Sequence, residues 1–272
     1  MANAIDRKAL QRVRAYRTFR FPEKTYIEPL TPFMHAESGE SADLASPPPS
    51  VDWRTLVSIA PAHDQGTCNT CTSFSLASAI EILWLRDHPG APISVSAGYI
   101  HTCLGHAGTD DAATICSLGV DLYAGLRLLK SRGFALGKDP SSPLSPGACH
   151  ALQGSGRLKG FAPVQSANDA KLLLANAGPL VADMYVWEDF FSFRNQPSSA
   201  YSPDLSRAGP YLHSVCVIGY SGSGWLVKNS FGPTWGDGTG CATIAYGACA
   251  LLGAPPPSSG VRRQSFSVRL AG

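Results

Sequence analysis

The hydrophobic pattern of the chain changes character at Pro179, and this change restricts the folds that the chain can adopt. Upstream, proline-free runs carry apolar residues at helical spacing, and two of them are followed by a glycine that can end a helix. Downstream, short segments rich in β-branched and aromatic residues alternate with Gly, Ser and Pro clusters, which is typical of strands. Helices first and strands later predict an α+β fold whose two halves meet at a cleft. The predicted helices cover residues 71–86, 121–132 and 167–176, and the predicted strands lie in LVADMYVW, HSVCVIGY, GWLVKNS and CATIAYG.

Composition excludes several classes of protein. The 272 residues are enough for one large domain or two small lobes, each with its own core. Charged residues make up 15% of the chain and the net charge is +2, so a polyanion such as nucleic acid is not an expected partner. No uninterrupted apolar run approaches the 18 or so residues of a membrane span, so no transmembrane helix is expected.

The first 50 residues differ from the rest. They are arginine-rich at their start and end in a triple proline, which favours an extended linker, and we place a domain boundary near Ser50. Two interpretations remain open: a disordered tail, or a propeptide-like segment that folds against the domain and inhibits it. The opening residues lack the apolar segment of a secretory signal, whereas eight cysteines fit poorly with a reducing cytosol. We therefore expect delivery out of the cytosol by a route without such a signal, or a missing leader.

Cys71 stands at the predicted start of the first helix, with Asn69 or Thr70 expected to cap that helix through a side-chain oxygen. A helix N-terminus and a neighbouring imidazolium lower the pKa of a thiol and make it a nucleophile. His213 leads into an apolar strand and could supply that imidazolium. Asn229 follows another strand, and we expect its side-chain oxygen to accept the Nδ1–H of His213 and fix the ring. The residues thus predict a nucleophile, a base and an orienting group.

Three segments carry these residues, and together they resemble the papain-like peptidases. Residues 64–71 read DQGTCNTC against the family pattern Q-G-x-C-G-S-C-W-A-F, residues 213–215 read HSV against H-A-V, and residues 228–237 read KNSFGPTWGD against K-N-S-W-G-x-x-W-G. The 142 positions from Cys71 to His213 and the 16 more to Asn229 suit the family's spacing. The segment VDWR at 51–54 also looks like the mature start of such enzymes. The resemblance covers about residues 51 to 250.

The resemblance implies a two-lobe papain-like fold with the active site in the cleft. A helical lobe would span about residues 51–160 and an antiparallel, β-barrel-like lobe residues 161–250, followed by a C-terminal segment at 251–272. The activity implied is that of a cysteine-type endopeptidase acting on polypeptides as a monomer, without a metal or an organic cofactor. A protein inhibitor is a possible further partner, and residues 1–50 are expected to inhibit the enzyme as part of a zymogen.

The matched positions imply one role each. Cys71 would attack the peptide carbonyl as a thiolate, His213 would hold the proton and deliver it to the leaving amine, and Asn229 would orient His213. Gln65 and the backbone N–H of Cys71 would form the oxyanion hole, which stabilises charge that develops only in the transition state.

The chain departs from the family pattern at three places near these residues. Thr72 replaces the aromatic residue that follows the nucleophile, and Phe231 replaces a tryptophan that covers the histidine–asparagine hydrogen bond. We expect weaker shielding from Phe231 rather than lost activity. A one-residue insertion within residues 236–241 is expected to reshape a nearby loop.

The resemblance also assigns residues to the substrate cleft. Asp183 would lie at the floor of the pocket for the second residue before the scissile bond, where an acid could select a basic side chain. The alternative for Asp183 is a solvated aspartate at a strand end, and both interpretations stay open. The substrate-binding residues implied are Leu118, Gly119, Asp183, Leu212, Ser214, Phe231 and Trp235.

Cysteine pairing cannot be chosen from the residues alone, since four cysteines permit three pairings. By resemblance, Cys68 pairs with Cys116 and Cys103 with Cys149. Cys216 lies inside the His213 strand and is expected to be a buried thiol, and the remaining two cysteines, Cys241 and Cys249, are expected to pair.

Other functions fit parts of the sequence. Cys68 and Cys71 alone could form a dithiol redox centre or half a zinc site, although no second close cysteine pair completes the latter. A catalytically silent binding protein on the papain scaffold is a third possibility. The order of the three motifs favours the peptidase, and the segments 186–190 and 218–220 suggest a bacterial member, with delivery into other cells as an effector a live hypothesis.

Overall fold

The computed structural model describes residues 46–137, 148–149, 154–194, 199–252 and 264–271. The interpretations offered for most of residues 1–50 therefore lie outside the described residues. The boundary near Ser50 falls just before a short strand at Val51–Asp52.

Helices dominate the first half of the described chain, as predicted. The long helix that starts at Cys71 is buried along nearly its whole length, which explains its many small residues. The predicted helix after Asp121 ends at Gly133, whose φ of +85° suits glycine, and Asp121 caps its N-terminus by accepting from the N–H of Ala124. No helix among the described residues has the length and apolar character needed to cross a bilayer. The α-helices are α1 Trp53–Leu56, α2 Cys71–Asp87, α3 Ala112–Ser117, α4 Leu122–Arg132 and α5 Ala167–Asn176, with a π-helical segment at Tyr99–Gly105 and a 3₁₀ turn at Glu188–Ser192.

The second half supplies most of one antiparallel sheet, and the four strands expected from the sequence are present. The strand order is β2-β7-β3-β4-β5-β6, with β1 paired to β4. The α+β fold class is thus confirmed, and the sheet is open rather than a closed barrel. The C-terminal segment, for which no structure was predicted, provides a strand between β2 and β3. The strands are β1 Val51–Asp52, β2 Leu158–Pro163, β3 Leu180–Val186, β4 Tyr211–Tyr220, β5 Gly224–Lys228, β6 Cys241–Ala245 and β7 Ser265–Leu270.

The sheet is buried on both faces. Along β4, Cys216 and Ile218 belong to the core shared with α2, whereas Val215 and Val217 belong to a second core on the opposite face. This alternation follows the two-residue period of a strand. The β4 strand is therefore held between two apolar layers, which fixes the direction of every side chain along it.

A polar stripe on α2 also contacts the sheet. Its three hydroxyl residues are spaced three positions apart and so lie on one helix face. Each of them meets a group on β4 or β5, so the helix is held in register with these strands. The contacts are Thr72 Oγ1 to Ser214 Oγ at 3.0 Å, Ser75 Oγ to Val215 O at 3.3 Å, and Lys228 Nζ to Ser78 Oγ at 3.3 Å.

Both disulfides expected from the resemblance are present and thus confirmed: Cys68–Cys116 and Cys103–Cys149. Cys216 is a buried free thiol, also as predicted. The predicted pairing of the last two cysteines is wrong, because both are free. Cys241 belongs to the core shared with α2 and Cys249 to the opposite core, so the sheet separates them.

Candidate active site

Cys71 is the first residue of α2 and is partly exposed. The expected side-chain cap is absent, and that prediction is wrong. Asn69 instead donates through Nδ2 to Ser117 O at 2.7 Å, and Thr70 Oγ1 is turned toward Cys68 O at 3.5 Å. Neither side chain therefore covers the positive end of the helix dipole at Cys71, where an anion is favoured.

Gln65 is buried beside the loop that leads to Cys71, and both ends of its amide are held. Its Nε2 donates to Cys68 O at 2.8 Å, and its Oε1 accepts from the hydroxyl of Ser230. Its backbone N–H donates to Ser230 O at 2.8 Å, next to an antiparallel bridge between Asp64 and Phe231. Sequence reasoning did not single out Ser230, although its place beside Asn229 in a matched motif was a usable signal.

His213 is fully buried in β4 and contacts Asn229, which directly follows β5. The Nε2 of His213 lies 2.7 Å from Asn229 Oδ1. This oxygen also accepts the backbone N–H of Ser230 at 2.8 Å, which identifies it as the oxygen of the amide. Nε2 must therefore carry the hydrogen. The expected contact through Nδ1 is wrong, because the ring presents its other nitrogen to Asn229 across the β4–β5 pair.

Aromatic rings enclose this hydrogen bond. The Phe231 ring is buried and lies over His213, with centroids 5.0 Å apart and planes 36° apart. The ring centroids of Phe190 and His213 are 5.7 Å apart. Trp235 holds Phe190 in place by donating its indole N–H to Phe190 O at 2.7 Å. Water exclusion strengthens a hydrogen bond between two buried polar side chains. The weaker shielding expected from phenylalanine in place of tryptophan stays a prediction.

Asp183 lies opposite Ser214 in the β3–β4 pair and is almost completely buried. The solvated-aspartate interpretation is therefore wrong. The hydroxyl of Ser214 donates to Asp183 Oδ1 at 2.6 Å. Burial raises the pKa of Asp183 to about 8; the Ser214 contact opposes this, Cys71 adds to it and His213 lowers it. Cys71 and His213 therefore both lie close enough to Asp183 to affect its ionisation.

Comparison with known proteins agrees with this geometry. The model of the papain family cysteine protease matches residues 47–252. The chain belongs to the papain family of cysteine proteases. Among curated relatives, cysteine proteinase B of Leishmania mexicana is 29% identical over 238 residues, covering 82% of this chain and 50% of the relative. A cathepsin L-like peptidase of Aedes aegypti is 29% identical over 204 residues, covering 70% of this chain and 57% of the relative. The chain thus spans about half the length of these papain-family relatives.

Solved structures show the papain fold. The Carica candamarcensis cysteine protease CMS1MS2, in complex with E-64, superposes with a TM-score of 0.61 at 22% identity, covering 82% of this chain and 98% of that one. Digestive procathepsin L 3 from the larval midgut of Tenebrio molitor gives a TM-score of 0.65 at 19% identity, covering 93% and 75%. The two-lobe papain fold expected from the sequence is confirmed.

The remaining residues assigned to the substrate cleft are connected to Cys71 through a disulfide or lie next to His213 in sequence. Leu118 and Gly119 are partly exposed and follow α3. The Cys68–Cys116 disulfide joins α3 to the loop that precedes Cys71. Leu212 is partly exposed and precedes His213. Their role in substrate binding stays a prediction.

The loop with the one-residue insertion is organised around Asp237. Its Oδ1 accepts the backbone N–H groups of Thr239 at 2.9 Å and Cys241 at 3.2 Å, and its Oδ2 accepts from Arg54 Nη1 at 2.6 Å. The insertion therefore closes into a turn that α1 helps to hold.

Alternative chemistries find no support in the described residues. Cys68 is bonded to Cys116, so it does not form a dithiol with Cys71. Within the described ranges, no group of three or more His, Cys, Asp or Glu side chains could hold a metal ion.

Proposed function

We propose that the chain is a cysteine peptidase that hydrolyses peptide bonds through an acyl-enzyme on Cys71. The observation that carries this proposal is the buried contact of 2.7 Å between His213 Nε2 and Asn229 Oδ1, made beside the helix that begins at Cys71. Because Nε2 is committed to Asn229, proton exchange with Cys71 and with the leaving amine uses Nδ1.

The reaction follows from these positions. The thiolate of Cys71 attacks the peptide carbonyl, and the resulting oxyanion accepts from the Gln65 amide and the Cys71 N–H. Nδ1–H of His213 then protonates the amine, which leaves, and a thioester remains on Cys71. His213 next removes a proton from water, which attacks the thioester and releases the acid product and the thiol.

A cleft beside Leu118, Gly119, Leu212 and Ser214 would bind the polypeptide. Selection of a basic side chain by Asp183 stays a prediction, and its burial makes a test necessary. The test compares the rates at which the protein cleaves Arg-Arg and Leu-Arg reporter peptides. A clear preference for the Leu-Arg peptide would count against selection by charge. Since the Carica protease was solved with E-64, we also expect E-64 to inhibit this chain and to serve as an active-site titrant.

Residues 1–50 are proposed to act as an inhibitory segment. Precursor forms among the structural neighbours, procathepsin L 3 and the recombinant stem bromelain precursor, support this. A chain that starts at Ser50 retains β1 but loses the contact of Tyr220 Oη with Pro48 O at 2.8 Å. We expect it to be more active than the full chain, and equal kinetics of the two would reject inhibition.

A bacterial source and delivery out of the cytosol as an effector remain part of the proposal. The two disulfides are compatible with an oxidising compartment. Detection of the intact protein only in the cytosol of the producing cell, under all conditions, would count against export.

The deciding experiment incubates the wild type and Cys71→Ala with a peptide library and maps cleavage by mass spectrometry. Cys216→Ala is the matched control, since it removes a free thiol that is buried away from the surface. We expect cleavage to disappear in Cys71→Ala alone, by at least about a thousandfold. Equal peptide maps for the wild type and Cys71→Ala would favour the catalytically silent binding protein instead.

A further inference from the structure

Asp183 is a buried acid that the hydrolysis itself does not use. Burying a carboxyl group costs free energy unless its oxygens find partners, so its presence in the middle of β3 calls for a reason. The titratable groups that face it come from three elements: Cys71 of α2, His213 of β4 and Asp121 at the start of α4. On the β7 side, Gln264 O accepts the Asp183 backbone N–H at 2.8 Å.

Two hydrogen-bonded hydroxyl groups, which form a hydroxyl chain, join Asp183 to α2, the helix that begins at Cys71. Ser214 donates to Asp183 Oδ1 at 2.6 Å, and Thr72 Oγ1 lies 3.0 Å from Ser214 Oγ. A hydroxyl carries one hydrogen, so when Ser214 donates to an ionised Asp183, Thr72 donates to Ser214. All members of this chain are buried.

The position of this chain within the site is specific. Thr72 directly follows Cys71, and Ser214 directly follows His213. The contact between the Thr72 and Ser214 side chains therefore joins the helix and the strand directly beside Cys71 and His213, the two residues proposed to exchange a proton.

We propose that Asp183, acting through Ser214 and Thr72, is a positioning residue that sets how the helix bearing Cys71 seats against the strand bearing His213. This inference rests on the proposed peptidase function, because it assigns Asp183 a part in that site. It differs from selection of a basic substrate side chain, which would require the carboxyl to face the cleft as an anion.

The protonation of Asp183 adds a measurable consequence. Burial holds the pKa of Asp183 at about 8, so the carboxyl is neutral in acid and ionises only in the alkaline range. Since His213 favours the ionised form of Asp183, an ionised Asp183 in turn favours the protonated form of His213. Ionised Asp183 then helps His213 to keep its proton in alkali, whereas the acid side of the pH profile is unaffected.

The experiment measures the rate of Cys71 alkylation by iodoacetamide from pH 4 to pH 10, together with kcat/KM on a reporter peptide. Of the described cysteines outside the two disulfides, Cys71 is partly exposed and the other three are buried, and burial raises the pKa of Cys216 and of Cys249 to about 12. The alkylation rate therefore reports Cys71, and Cys71→Ala gives the background. Alkylation needs no peptide cleavage, so it tests the inference even if the peptidase proposal fails.

Asp183→Asn removes the ionisation and keeps an oxygen that can accept from Ser214. We expect its alkaline inflection to fall by roughly 0.5 to 1 pH unit relative to the wild type, with the acid inflection unmoved. If Asp183 had a purely structural role, Asp183→Asn would change the melting temperature but would not shift the alkaline inflection of the pH profile separately from the acid inflection.

Thr72→Val and Thr72→Ser form a matched pair that tests the hydroxyl chain independently. Valine has the volume of threonine without the hydroxyl, and serine keeps the hydroxyl. We expect Thr72→Val to lower the alkylation rate at pH 6 by roughly three- to tenfold, and Thr72→Ser to recover most of the loss. This pair also decides the matter if Asp183→Asn fails to fold.

The outcomes separate the competing interpretations. An unmoved alkaline inflection in Asp183→Asn, with equal rates in the two Thr72 variants, overturns the proposal. A change in preference between Arg-Arg and Leu-Arg reporters with both inflections unmoved also overturns it and assigns Asp183 to the substrate pocket. A shifted inflection in a protein that cleaves no peptide supports the positioning role and rejects only the proposed function.

Discussion

His101 is expected to make the helical lobe sensitive to acid. It is fully buried in the π-helical segment, and its Nε2 lies 2.8 Å from Ile115 O. A carbonyl only accepts, so Nε2 carries the hydrogen, and Nδ1 is a buried lone pair without a hydrogen-bond partner among the described residues. Burial lowers the pKa of His101 from 6.5 to about 4, and the His106 ring, 4.7 Å away, acts in the same direction.

The sign and size of the effect follow from this pKa. Between pH 6.5 and pH 4, His101 is protonated in the unfolded chain but stays neutral in the folded chain. The free energy of unfolding therefore falls as the pH falls toward 4. At about 1.4 kcal/mol per pH unit, the loss is about 2 kcal/mol at pH 5 and about 3 kcal/mol at pH 4.

Urea unfolding at pH 7, 6, 5 and 4.5 measures this loss. His101→Gln removes the titration and keeps an amide N–H that can reach Ile115 O, whereas His88→Gln removes an exposed histidine as the control. We expect His101→Gln to lose about 2 kcal/mol less than the wild type between pH 7 and pH 5. Parallel curves for the wild type and His101→Gln would refute the reasoning.

Two further predictions concern the catalytic residues and the loop that holds them. Asn229→Ala removes the acceptor of His213 Nε2, and kcat/KM should fall roughly 10- to 100-fold, as expected for about 1.5 to 3 kcal/mol of lost orientation; an unchanged value in a folded variant would contradict the assigned role. The double variant Cys68→Ser, Cys116→Ser opens a loop of 48 residues, and chain entropy predicts a loss of about 4 kcal/mol in the free energy of unfolding. Guanidinium unfolding measures this loss, and a change below about 1 kcal/mol would show that the reduced loop is already restrained.

The sequence predicted those features that depend on local pattern. The helix that begins at Cys71 and the strand that carries His213 follow from periodicity within a few residues. Periodicity does not predict which ring nitrogen of His213 faces Asn229. This choice depends on the pairing of β4 with β5 and on the face of β4 to which the His213 side chain points.

The same limit explains the cysteine error. Cys241 and Cys249 remained after the other cysteines had been assigned, and this alone suggested a pair. The strand β6 and the turn after it send the two thiols to opposite cores, which only the three-dimensional path of the chain decides.

Thr72 shows how a departure from a family pattern acquires meaning only in three dimensions. In the sequence, Thr72 is only the replacement of an aromatic family residue next to Cys71, and no partner is assigned to its hydroxyl. In the structure its hydroxyl meets Ser214, 142 positions away, and Ser214 meets Asp183. A large aromatic ring at position 72 would displace that hydroxyl and press on a buried site, which commonly costs about 1 to 3 kcal/mol. Restoring the family residue alone should therefore destabilise this protein, because the three polar residues are a single arrangement.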